Sequence, residues 1–181
     1  MKVIYKLRGL LMAPLMIFVT LCTWGETDND LLAWGIGGAT FAVGLALRVW
    51  AQVHLRYRLK VRKTLTTTGP YACVRNPSYI GNTIILSGVC MLTGMFWFVP
   101  VQLVYCAVVY SLVVRYEEAY LATTFGAPYL EYCSAVPRWL PTWRASQTRA
   151  DMGSYLIPSL LAEAHNLLYL LLFAVKELAI R

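Results

Sequence analysis

Long apolar runs separated by short polar segments dominate this chain. The runs cover residues 9–25, 31–53, 78–94 and 96–114. Because a helix needs about 20 mostly apolar residues to cross the hydrocarbon core of a bilayer, each run predicts a transmembrane helix. The first run is slightly short, and it can cross if flanking Arg8 extends its charged end to the interface. The link between the last two runs is so short that they predict an antiparallel helical hairpin.

The C-terminal segment 155–181 has a mixed pattern. Its apolar residues recur at the i, i+3, i+4 spacing of a helix face, but Glu163, His165 and Asn166 interrupt the run. The segment therefore predicts either a fifth crossing or a helix lying at the membrane interface, and we expect it to pack on the side that carries the polar loops. The pattern as a whole predicts an all-α, polytopic membrane bundle of four to five transmembrane helices, built as a single domain over 1–181.

Composition agrees with a membrane protein. Hydrophobic residues make up 59% of the 181 residues and charged residues only 14%, whereas a soluble domain carries about a quarter charged residues. The first apolar run lacks a small-residue cleavage site before the acidic loop that follows, which indicates a retained helix rather than a signal peptide.

The distribution of charge predicts the orientation. The formal net charge is +7. The N-terminus is basic, the first loop is acidic, loop 54–77 is strongly basic, the hairpin link is uncharged, and the segment after Arg115 is basic again. Because basic loops stay on the cytoplasmic side, both termini and loop 54–77 are expected to face the cytoplasm.

The same residues argue against other classes of ligand. No basic surface with interleaved aromatic residues supports binding of nucleic acid, so none is expected, and anionic lipid headgroups explain the charge of the loop. None of the five cysteines forms a C-x-x-C pair and three lie in apolar runs, so no metal site is expected. No feature indicates an obligate protein partner.

The stretch GPYACVRNPSYIGN, residues 69–82, combines turn and helix-start signals. Gly69 and Pro70 favour a turn. Asn76 is a preferred N-cap and Pro77 a preferred first helical residue, so a helix is expected to begin there. Its free N–H groups beside Arg75 suggest an anion site. The alternative is a well-capped helix with an arginine that serves only topology.

A second polar stretch, residues 115–141, follows the fourth apolar run. Arg115 and Glu118 are three residues apart and predict an exposed ion pair. That pair leaves Glu117 unexplained, and a carboxylate facing the bundle could hold a pair of hydroxyls or an ammonium group. Gly126 fits a helix stop before Pro128.

Taken together, these stretches resemble the isoprenylcysteine carboxyl methyltransferase and phospholipid methyltransferase group of integral-membrane enzymes. The matching segments are KTLTTTGPYACVRNPSYIG, EEAYLATTFGAPYLEY and AVPRWLP, in this order and with a predicted hairpin between the first two. The resemblance covers the motif core 63–141. It implies a bacterial-type member of the inner membrane, in which S-adenosyl-L-methionine binds in a cytoplasmic pocket and a lipid or lipid-modified substrate enters from the bilayer.

The resemblance also implies roles for individual residues. Arg115 is expected to contact the substrate, and Glu118 is expected to act beside it in catalysis. The residues expected to bind the cofactor are Lys63, Thr64, Leu65, Thr66, Tyr71, Asn76, Pro77, Ser78, Tyr79 and Glu117. Asn76 replaces the histidine of the family pattern; it can cap a helix and form hydrogen bonds, but it cannot titrate. This departure leaves the isoprenylcysteine substrate open.

The chemistry of the acceptor is not fixed by the sequence. Methyl transfer needs positioning more than acid–base groups, and the chain has only two histidines. We expect His54 to be a solvated residue near the cytoplasmic face and His165 a tolerated polar residue. A carboxylate acceptor fits this scarcity of bases, and amine or thiol acceptors stay open. Two other functions also stay open: a nicotinamide-dependent membrane reductase of the sterol-reductase type, and a non-catalytic binding protein on the same scaffold.

Overall fold

The computed structural model of this protein describes residues 10–27, 29–56, 64–142 and 153–171. These residues form an all-α structure, which confirms the predicted class, and they contain no strand. The helices are α1 (Ala13–Leu21), α2 (Asp30–Leu32, continued by a π-helical stretch Ala33–Gly37 and by Gly38–Arg56), α3 (Pro70–Cys73), α4 (Pro77–Leu92), α5 (Val99–Phe125), α6 (Ala127–Ala135) and α7 (Gly153–Glu163).

Two helical stretches are long and apolar enough to cross a membrane, Asp30–Leu55 and Phe96–Phe125, and Pro77–Leu92 is a shorter apolar helix. Within the first predicted span, the described residues form a 3-10 turn, Leu10–Met12, followed directly by the nine residues of α1. Large apolar side chains such as Leu21 are exposed, whereas Gln102 is completely buried. This distribution is typical of a helical membrane protein, whose outer surface contacts lipid.

Helices α2 and α4 approach each other at small residues. A Cβ atom added to Gly44 would lie 2.7 Å from the backbone nitrogen of Ile85, and one added to Gly88 would lie 2.6 Å from that of Phe41. Contacts this short leave no room for a side chain, so glycine sets the distance between the two helices.

The predicted hairpin is present. It consists of α4 and α5, joined through Gly94, which has a φ of 74°, and a short 3-10 turn at Phe96–Phe98. Met95 in this link is completely buried. The core cluster around the hairpin includes Val19, Ile85 and Leu92 among others.

Helix α5 extends further than the sequence predicted. The expected span ended at residue 114, where the apolar run ends, but the helix continues to Phe125 and stops at Gly126, which has a φ of 60°. Residues 117–122 are rich in Glu, Ala and Leu, which have high helix propensity, so the helix continues beyond the apolar run. As a result, Glu117 and Glu118 lie on the same rigid helix as the span. The stop at Gly126 is confirmed.

The C-terminal segment is helical where it is described. Helix α7 packs on α2, and a 3-10 turn at Ala164–Asn166 follows it at the point where polar residues interrupt the apolar pattern. Residues 172–181, the rest of the predicted helix 155–181, lie outside the described residues.

Candidate functional site

The segments that carry the sequence motifs converge on one cleft. It has a volume of about 80 Å³ and lies between the segment after residue 64, the polar end of α5 and helix α6. Its lining residues are Leu55, Leu65, Thr66, Tyr71, Arg75, Asn76, Glu117, Glu118, Leu121, Phe125, Tyr129 and Tyr132.

Gly69 shapes the loop that brings Thr66 and Tyr71 to the cleft. Its φ of 61° is one that side chains rarely adopt, and a Cβ atom there would overlap the imidazole of His54. His54 is only 2% exposed, and its Nδ1 lies 3.0 Å from Thr68 Oγ1. The expectation of a solvated histidine was therefore wrong, because the Gly-Pro turn folds back over the end of α2 and covers the ring.

Tyr71 is held by two hydrogen-bonding contacts. Its hydroxyl lies 3.2 Å from Ser78 Oγ, and its carbonyl accepts a hydrogen bond of 2.8 Å from the hydroxyl of Tyr132. Burial raises the pKa of Tyr71 to about 12, since the charged phenolate is disfavoured away from water. The hydroxyl is therefore protonated at neutral pH and available as a hydrogen-bond donor at the cleft.

Glu118 joins the two motif stretches. Its carboxylate accepts hydrogen bonds of 3.0 and 2.5 Å from Nε and Nη2 of Arg138 and lies 3.1 Å from Nη1 of Arg75. The predicted pair with Arg115 was wrong, because the V-P-R segment returns across the end of α5 and places Arg138 on Glu118. The hydrogen bond with Glu118 raises the pKa of Arg138 further above its ordinary value.

Glu117 points to a different neighbour. Adjacent residues on a helix project about 100° apart, and the hydroxyl of Tyr79 donates a 2.8 Å hydrogen bond to Glu117 Oε1. Glu117 lines the cleft. Its carboxylate is thus oriented by Tyr79 of α4.

Helix α4 begins as predicted, with Asn76 at the N-cap and Pro77 as the first helical residue. The Asn76 side chain does not cap the helix, however. Its amide donates a hydrogen bond of 3.2 Å to the carbonyl of Arg138 and so ties the R-N-P motif to the V-P-R segment. Arg75, proposed as part of an anion site, is largely occupied by Glu118 and Cys133.

One hydroxyl in the cleft has no partner. Thr66 is 5% exposed, and its Oγ1 makes no hydrogen bond within the described structure although it is buried. A buried polar atom left without a partner is costly, so this hydroxyl is a candidate ligand contact.

The predicted site residues are therefore distributed unevenly. Those that line the cleft are Leu65, Thr66, Tyr71, Asn76, Glu117 and Glu118. Pro77, Ser78 and Tyr79 do not line it, but Ser78 contacts Tyr71 and Tyr79 contacts Glu117. Thr64 and Arg115 are exposed and do not line it either. Lys63 lies outside the described residues.

Sequence reasoning missed a second cavity inside the bundle. Its volume is about 240 Å³, and its lining residues are Met12, Arg48, Tyr79, Asn82, Ile85, Leu86, Tyr110, His165, Asn166 and Tyr169. Arg48 interrupts one apolar run and Glu163 another, and opposite charges within apolar runs indicate an internal pair. That signal was present in the sequence, but residue spacing alone does not pair the two segments.

This chain belongs to the phospholipid methyltransferase family, whose sequence profile matches residues 32–128, just over half of the chain. The family consists of membrane methyltransferases, and this match favours that class over the reductase alternative.

Three curated proteins show the extent of the similarity. The cobalt-zinc-cadmium resistance protein CzcN of Cupriavidus metallidurans is 31% identical over 61% of this chain and 49% of its own length. The nickel-cobalt-cadmium resistance protein NccN of Alcaligenes xylosoxydans xylosoxydans is 30% identical over 74% and 60%.

The protein-S-isoprenylcysteine O-methyltransferase of Schizosaccharomyces pombe is 39% identical over 42% of this chain and 33% of its own length. The chain thus spans 33–60% of the length of these curated relatives. No solved structure matches it significantly.

Proposed function

We propose that this protein transfers a methyl group from S-adenosyl-L-methionine to a lipid or lipid-modified acceptor. The observation that carries the proposal is the convergence of the motif segments on one cleft, in which the Glu117 carboxylate and the Thr66 hydroxyl both line the wall. The match to the phospholipid methyltransferase family supports it.

The residues of the cleft fit this cofactor by their chemistry. Glu117 would bind hydroxyl or ammonium groups, and the unpartnered hydroxyl of Thr66 would gain a hydrogen bond. Leu65, Leu121 and Phe125 provide apolar surface for an aromatic base. When bound, the cofactor supplies an activated methyl group on a sulfonium.

The protein's own contribution would be positioning. Transfer of a methyl group is an in-line displacement that depends mainly on holding the two reactants in line. Tyr79 orients Glu117, while Arg75 and Arg138 hold Glu118. We infer that Glu118 acts by fixing the R-N-P and V-P-R segments around the cofactor, and that Arg115 contacts the substrate from the exposed face of α5.

Binding of S-adenosylhomocysteine tests the proposal directly. Isothermal titration with purified protein in detergent is expected to show saturable binding, and the membrane fraction is expected to transfer radiolabelled methyl groups into an extracted lipid. Absence of both binding and thermal stabilisation at millimolar ligand would exclude the methyltransferase. Stabilisation by NADPH instead would favour a reductase.

We propose that the cleft and the basic loop before residue 64 face the cytoplasm. Between successive predicted crossings, basic segments alternate with segments that lack basic residues, and basic segments stay on the cytoplasmic side. In a variant free of native cysteines, Thr64→Cys is expected to react with an impermeant maleimide only after the cells are opened. Trp24→Cys, in the first loop, is expected to react in intact cells. The reverse pattern would overturn the orientation.

The names of the two bacterial relatives refer to heavy-metal resistance. Among the residues that the structure describes, no group of three His, Cys, Asp or Glu side chains could hold a metal ion. The proposed function rests on methyl transfer, which the family match supports.

A further inference from the structure

The second cavity places polar groups among apolar helices. Met12, Ile85 and Leu86 form part of its wall, yet Arg48, Asn82 and three tyrosines also line it. An ionisable side chain inside the apolar part of a membrane protein is costly, and such residues typically mark a binding site or a pathway.

Arg48 is held in a fixed plane. Its Nε and Nη2 donate to the two carboxylate oxygens of Glu163 at 2.5 and 2.9 Å, and its Nη1 donates to Asn82 Oδ1. A guanidinium has five N–H groups, so two of them make no hydrogen bond within the described residues. The planar pairing leaves these two donors in a defined position.

Glu163 sits behind the guanidinium. Its side chain is 1% exposed, it also accepts a 2.8 Å hydrogen bond from Asn166, and it does not belong to the described lining of the cavity, whereas Arg48 does. The wall therefore presents N–H and O–H donors, while the balancing negative charge is covered. An ion pair that served only to attach α7 to α2 would not require an open cavity on the side of the arginine.

One residue, Tyr79, links the second cavity to the cleft. Its side chain lines the second cavity, its hydroxyl donates to Glu117 in the cleft, and its ring lies 4.9 Å from that of Tyr110. A ligand in the second cavity would thus lie beside Tyr79, which orients the Glu117 carboxylate in the cleft.

We propose that the second cavity binds the headgroup of the lipid acceptor through an anionic oxygen, a carboxylate or a phosphate, contacted by Arg48, Asn82 and Tyr110. This inference rests on the proposed function, because it assigns the acceptor side of that reaction. Donors held in place before binding favour such an oxygen over a neutral or cationic headgroup.

The test measures lipid binding without cofactor, in nanodiscs of neutral lipid. The probes are N-acetyl-S-farnesylcysteine, whose only charge is a carboxylate, dioleoylphosphatidic acid, which carries a phosphate, and dioleoylglycerol, which carries neither. At least one anionic probe is expected to bind ten-fold or more tightly than dioleoylglycerol, and its identity distinguishes carboxylate from phosphate. Equal binding of all three probes would overturn the proposal.

The matched variant is Arg48→Gln with Glu163→Gln, which removes both charges together and leaves a polar amide at each position. It is expected to reduce the preference for the anionic probe to less than three-fold and to leave S-adenosylhomocysteine affinity within two-fold of the wild type. An unchanged preference for the anionic probe would overturn the proposed headgroup site. If the wild-type protein does not bind S-adenosylhomocysteine at all, the proposed methyltransferase function is overturned instead.

If the double variant does not fold, Tyr110→Phe provides the second test. It removes one hydroxyl and keeps the ring, and it is expected to weaken binding of the preferred anionic probe three- to ten-fold. Binding equal to that of the wild type would contradict the assignment of this hydroxyl to the headgroup site.

Discussion

Glu117→Gln is expected to weaken binding of S-adenosylhomocysteine roughly 10- to 100-fold. Hydrogen bonds to a charged group contribute about 1.5–3 kcal/mol, and glutamine keeps the size of the side chain while it removes the charge. Glu117 lines the cleft and is oriented by Tyr79 at 2.8 Å. Isothermal titration of the two proteins in the same detergent measures the difference.

Two further variants make this result specific. Glu131→Gln removes the same charge from an exposed position on α6 and is expected to leave affinity unchanged. Tyr79→Phe removes only the hydroxyl that orients Glu117, so a smaller loss than that of Glu117→Gln is expected. Equal affinity of Glu117→Gln and the wild type would show that the carboxylate does not bind the cofactor.

Gly69→Ala is expected to have the second large effect, on both stability and cofactor binding. An L side chain at a φ of 61° is strained, at a cost of about 1–3 kcal/mol. The added Cβ would also overlap the ring of His54, and overpacking of this kind costs typically about 1–3 kcal/mol more. Either the hydrogen bond between His54 and Thr68 breaks, or the loop that carries Thr66 shifts.

Gly126 offers a matched control for this substitution. Its φ and ψ of 60° and −134° are nearly the same as the 61° and −133° of Gly69, but nothing lies within 4 Å of an added Cβ. Gly126→Ala therefore carries the backbone strain alone. Thermal unfolding in detergent is expected to show a clearly lower midpoint for Gly69→Ala, and equal midpoints would mean that His54 does not confine the loop.

Several parts of the site could be predicted from the sequence because they depend on local chemistry. The start of α4 at Asn76 and Pro77 follows from capping preferences, and the end of α5 at Gly126 follows from the left-handed conformation that glycine permits. Both lie where the pattern predicted. The sequence also shows that Glu117 and Glu118 are adjacent, but it does not show which residues they contact.

The partners could not be predicted because they come from distant parts of the chain. Glu118 was expected to pair with Arg115, three residues away, but it binds Arg75 and Arg138. His54 was expected in solvent, but the turn at Gly69 covers it. Sequence spacing describes neighbours on one helix and carries no information on which segment folds back over it.

The sequence by itself determined the helical membrane class, the hairpin of α4 and α5, the start of α4 at Asn76 and Pro77 and the stop of α5 at Gly126, because hydrophobic length and backbone preferences act within a few residues. Only the tertiary structure decided that Arg48 pairs with Glu163, that Tyr79 links the second cavity to Glu117, and that two arginines share Glu118. In an apolar interior each buried charge must find an opposite charge or a hydrogen bond wherever the fold brings one near, so these contacts are fixed by the packing of the helices.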